Sequence, residues 1–115
     1  MNLGAFHRGI QLFNRQQFYD AHEIWEDVWR ESHGHEKKFL QGLIQIAVAL
    51  HHYSTDNLAG ARSLLERGRR NLAHDPGKFG GIGVTAFAHS VEEWADSLRN
   101  GKSRPEFPRI DIDRD

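Results

Sequence analysis

The sequence predicts an all-α fold: a compact single-domain bundle of about five helices, with the helix at about 36–54 buried at its centre. Three observations carry this. Apolar residues recur every three to four positions almost throughout, and no stretch alternates as a half-buried strand would. One segment, "FLQGLIQIAVAL", is apolar around most of its circumference, which marks a helix surrounded by others. The periodic segments are joined by short turns, and short connections make consecutive helices antiparallel neighbours.

The first helix is expected at about 3–14, with Leu3, Phe6, Ile10 and Phe13 on one stripe. The second, at about 17–32, repeats Phe18, Ala21, Trp25, Val28 and Trp29 at spacings of three and four. The turn "HGH" at 33–35 closes it, with Gly34 suited to the positive backbone angle of a helix C-terminus. After the central helix, "STDN" at 54–57 supplies capping side chains for a fourth helix at about 57–74. Its seam is Leu58, Ala61, Leu65, Gly68 and Leu72. The segment "HDPGKFGGIG" interrupts the pattern, and no role is assigned to its glycine-rich loop at 77–83. A fifth helix follows at about 84–100, with Phe87, Val91, Trp94 and Leu98 inward and Gly101 as its stop. The tail at about 102–115 reads as extended, with Phe107 and Ile110 available to pack on the bundle.

Composition narrows the function. Fifteen basic residues against sixteen acidic ones leave a formal charge of -1, so no whole-molecule field draws in phosphate backbones or acidic membranes. The densest basic run, Arg62, Arg67, Arg69 and Arg70, is partly paired through Glu66 and has no interleaved aromatics. It reads as a solvated helix face, and nucleic-acid binding is not expected. The longest apolar stretch, near 43–50, is about half of the roughly 20 residues that span a bilayer, so no membrane is expected. There is no cysteine and no secretory leader pattern, which fits a cytoplasmic protein.

The chemistry concentrates in "DAHEIWEDVWR". On a wheel of the second helix, His22 and Glu26 fall together at one edge of the apolar arc, with Tyr19, Glu23 and Arg30 further round. Residues one turn apart have Cβ atoms about 5–6 Å from each other, so the pair can touch or share an ion. On the third helix Gln41, Gln45 and His52 fall within about 40°, interrupted only by Val48. Buried polar groups need partners, and the nearest are on the preceding helix. The expected pocket therefore joins His22, Glu26, Gln41, Gln45 and His52, with Glu23 and Arg30 at its rim.

Two motifs stand intact in these helices: H-E-x-x-E-x-x-W-R at 22–30 and Q-G-L-I-Q-x-A-x-A-x-x-H at 41–52. With the "NLAGAR" helix start that follows, they resemble domain-of-unknown-function family 309, small all-helical proteins of bacteria and archaea. The resemblance runs from about Phe13 to Leu72. It implies a compact helical fold without an established activity. The positions it carries over are His22, Glu23, Glu26, Trp29, Arg30, Gln41, Gln45 and His52.

Two functional classes follow. The first is a binding or interaction module whose polar cluster is either a structural His–Glu–Gln hydrogen-bond network fixing helix register or a site for a small ligand or protein partner, with Gln41, Gln45, His52 and Trp29 as ligand-binding candidates. The second is a small hydrolase-like enzyme with His22, Glu23, Glu26 and Arg30 as catalytic candidates. His22 and Glu26 are also the candidate metal ligands, for zinc, iron or manganese, with a third ligand from His52 or another helix. Three tryptophans and seven phenylalanines are many for this length, so a homodimer is expected, with the fourth helix's seam as one candidate face.

Overall fold

The computed structural model describes residues 1–73 and 81–112. It contains five helices: α1 (Leu3–Asn14), α2 (Phe18–Arg30), α3 (Gly34–Ser54), α4 (Leu58–Leu72) and α5 (Val84–Asn100). Each packs on the next along the chain. Among the described residues there is no strand, only an isolated antiparallel bridge between Ile82 and Ile112. No described helix is long and apolar enough to cross a membrane. The segment expected to break the pattern, "HDPGKFGGIG", lies largely outside the described residues.

The helix expected at the centre is there. Phe39, Leu40, Leu43, Ile46, Ala47, Ala49 and Leu50 of α3 are all buried. The helix meets α4 at a crossing of small residues. A Cβ on Gly68 would stand 2.9 Å from the Gly42 carbonyl oxygen, and one on Gly42 would stand 3.0 Å from the Gly68 carbonyl oxygen. The two backbones touch there, and only glycine permits it. Ala61, Leu65 and Leu72 complete the buried seam of α4. This corrects the expected dimer face: the seam packs on α3 inside the chain. Its first expected member, Leu58, is 54% exposed instead.

Three helices end alike. Gln17 N donates to Leu12 O at 2.9 Å, Asn57 N to His52 O at 2.8 Å, and Lys102 N to Ser97 O at 3.1 Å. Each bond spans a residue in the left-handed region: Gln16 at φ 65°, Asp56 at φ 64° and Gly101 at φ 65°. Gly101 is the stop the sequence indicates. Gly34 does have a positive φ, of 60°, but it opens α3, while α2 already ends at Arg30.

The extended tail packs as expected. Ile110 is buried, and the Phe107 ring stacks on Trp94 at 5.3 Å between centroids. The Asn14 side chain accepts from Ile110 N and donates to Ile110 O, both at 2.9 Å, as a neighbouring strand would. Trp25, fully buried, donates its indole N–H to Phe6 O at 3.1 Å and locks α2 onto α1.

Candidate functional site

The outer face shared by α2 and α3 gathers most of the polar side chains that the sequence singles out on α2, Glu23 excepted. Ala21, Trp25 and Val28 hold that helix to the core, which turns the next positions round toward solvent. His22 Nδ1 lies 2.7 Å from Tyr19 O. A carbonyl only accepts, so Nδ1 carries a proton, and in the neutral ring Nε2 is the acceptor. Nε2 stands on the Glu26 side, 3.8 Å from Oε2. Arg30 continues the series, with Nη2 4.0 Å from the same Glu26 oxygen while Nη1 donates to Asp27 at 2.6 Å. The His22 side chain is 15% exposed and that of Glu26 44%, so the pair opens outward at its acid end.

Helix α3 frames this row at both ends. The Tyr19 ring lies 4.8 Å from that of His22 and 5.2 Å from that of His51. At the opposite end Lys37 Nζ sits 4.3 Å above the Trp29 ring. Between them run Ile44 and Val48, both partly exposed. Trp29 itself is partly buried, and its indole Nε1 is fully enclosed with no acceptor among the described residues.

Residues 6–64 match the family described as a domain of unknown function, DUF309. The chain belongs to the DUF309 family. An uncharacterized protein of Aquifex aeolicus (strain VF5) is 34% identical over 82 residues, 70% of this chain and 25% of that protein. The uncharacterized protein YpuF of Bacillus subtilis (strain 168) is 34% identical over 64 residues, 55% of this chain and 37% of YpuF. The chain thus spans well under half the length of either relative. No function is established for the DUF309 family by these matches.

The DUF309 match contains the whole α2–α3 face, whereas α5 and the tail lie beyond it. Within that face His22, Glu26, Trp29 and Arg30 stand in one row. The α3 candidates do not join it as a single pocket. Gln45 Oε1 accepts from Asn71 Nδ2 of α4 at 2.8 Å, and His52 Nδ1 lies 3.4 Å from Asn57 Nδ2 at the α3–α4 turn. Gln41 is exposed, and Glu23 lines a shallow cleft between α1 and α2 with Arg8, Asp20 and Asp27.

The reason is rotational. Lys37, Ile44, Val48 and His51 share a sector of about 60° that meets α2, and Gln45 and His52 lie further round, toward α4. A wheel of α3 alone shows the polar sector but not which neighbour meets which side of it. Tyr19 was placed near the pair without a role, and His51 and Lys37 are the residues this reasoning passed over. Their signal was the 4-3-4-3 spacing of Lys37, Gln41, Ile44, Val48 and His51.

For a metal, His22 Nε2 and Glu26 Oε2 are two donors from one helix. Among the described residues no group of three or more histidine and acidic side chains is placed to hold an ion. The expected third ligand, His52, sits instead beside Asn57.

Proposed function

We propose that this DUF309 domain is a cytoplasmic binding module whose recognition surface is the α2–α3 face. The observation that supports it is the enclosed Trp29 N–H without an acceptor. A buried donor left unpaired costs about 1–3 kcal/mol, and a carbonyl or carboxylate brought by a ligand or partner would recover it once the side chains covering the N–H move aside. Around that donor are a cation at Lys37, partly exposed Ile44 and Val48, and the His22–Glu26 pair. Such a mixture of apolar contact and few convergent polar groups is what recognition sites use. A second copy of the chain falls within this class of partner, so the oligomeric state in solution is the first control.

The test is capture from cell extract on immobilised chain, identified by mass spectrometry. A species retained by the native chain and lost by both Trp29→Phe and His22→Ala, each still helical, supports the reading. Equal retention by all three contradicts it.

The enzymatic reading has one observation in its favour: the Tyr19 carbonyl fixes the His22 tautomer that leaves Nε2 as a base or metal donor. Glu26 would supply a second donor, and Arg30 an anion contact. Elemental mass spectrometry on protein purified without a histidine tag tests its metal-dependent form. Near-stoichiometric zinc, iron or manganese, lost in His22→Ala, is the result that favours it.

A further inference from the structure

A second site lies away from the α2–α3 face, between α4 and α5. A cleft of about 280 Å³ opens there, lined by Arg62, Leu65, Glu66, Ala95, Leu98 and Arg99. Its floor is apolar, and its charged groups are unevenly matched. Arg69, just outside, donates to both oxygens of Glu66 and reaches Glu92 at 3.1 Å. Asp96, one turn further along α5 than Glu92, accepts from Lys102 at 2.9 Å and from Asn100 at 2.6 Å. Among the described residues, Arg62 and Arg99 therefore enter no ion pair.

Arg62 is also held in place. Its Nη2 donates to Leu98 O at 3.1 Å, which pins the guanidinium at the cleft while its other N–H groups remain available. A second cleft of about 420 Å³ meets the first at Arg62 and Leu98 and runs on past Tyr53 and Leu58. The exposed Leu58 side chain, displaced from the α4 seam, lines this extension.

From this we infer that the α4–α5 cleft binds an aliphatic monocarboxylate. The carboxylate sits between Arg62 and Arg99, and the chain lies over Leu65, Ala95 and Leu98. Two guanidiniums outside any ion pair, beside a Glu66 already bound by Arg69, leave a net positive charge that one carboxylate matches. The apolar floor takes the alkyl part, and a volume at the small end of the roughly 300–1,000 Å³ typical of ligand pockets calls for a short chain. All lining residues except Arg62 lie beyond the family match at 6–64, so the site would be a feature of this chain rather than of the family pattern.

The experiment is a nuclear magnetic resonance titration of the isotopically labelled full chain with sodium octanoate. Sodium acetate and 1-octanol serve as head-only and tail-only arms. The expected result is saturable shifts centred on Arg62, Leu65, Ala95, Leu98 and Arg99, with both control probes about tenfold weaker or more. The double variant Arg62→Gln, Arg99→Gln should weaken octanoate about tenfold or more, from the loss of charge-assisted hydrogen bonds. Arg99→Gln alone keeps the native chain around Leu98 and should weaken it severalfold. Absent saturation, shifts centred elsewhere, or unchanged affinity in Arg99→Gln would overturn the inference. So would acetate or octanol binding as tightly as octanoate.

Discussion

At the scale of the residue, His22 shows how local geometry assigns a role. Its Nδ1–H is bonded to a carbonyl one turn back in its own helix, so this hydrogen bond ties no second helix into the fold. His22→Ala should therefore cost about 1 kcal/mol or less, read as a small fall in melting temperature. A loss of several kcal/mol would mean that the imidazole holds α2 in place. The pairing of His22 with Glu26 was legible in the sequence, because residues one turn apart on a helix always share a side. The grouping with Gln45 and His52 was not. Which side of α3 meets α2 depends on where α4 lies, and the decisive contact, Asn71 on Gln45, is 26 positions away in sequence. The Trp29 donor was equally hidden, since a missing acceptor is a property of three-dimensional surroundings.

Among the elements, the crossing of α3 over α4 is the most exacting. Gly42 and Gly68 bring two backbones into contact, so a methyl group at either position must push the helices apart. Gly68→Ala should lose about 1–3 kcal/mol by overpacking, although alanine favours a helix more than glycine does. Urea unfolding of the two chains measures it, and an unchanged or higher midpoint would show that the helices separate without penalty. Helix existence and phase were legible from Phe18, Trp25, Leu43, Ile46, Phe87 and Trp94, whose spacing requires one buried side. Helix ends were less so. Gly101 announces its left-handed cap, whereas Gln16 and Asp56 adopt the same conformation without glycine. Glutamine is not marked for it and aspartate only weakly, and the hydrogen bonds to Leu12 and His52 hold both there.

The molecule as a whole is nearly neutral at pH 7, and particular ion pairs add a pH dependence of their own. The hydrogen bond from Arg69 holds the Glu66 carboxyl below its ordinary value of 4.5, helped by the charges of Arg69, Arg99 and Arg70. The charged form is thus favoured in the fold. Its contribution is present above pH 4.5 and is lost as pH falls through the lower folded value. Glu66→Gln should lower the melting temperature near neutrality and converge with the native chain at acid pH. The effect is small because the side chain is 39% exposed and screened by solvent. Parallel melting curves across that range would contradict this origin.

The account rests most directly on Trp29, and a matched pair of substitutions isolates its N–H. Trp25→Phe and Trp29→Phe make the same change in two indoles of one helix. Trp25 is fully buried with its N–H bonded to Phe6 O, while the Trp29 N–H is enclosed with no acceptor among the described residues. Thermal unfolding of both variants should show Trp25→Phe losing about 2 kcal/mol or more, and Trp29→Phe melting within a few degrees of the native chain or above it. Equal, large losses would make Trp29 a satisfied structural anchor and remove the basis for a recognition surface on α2 and α3.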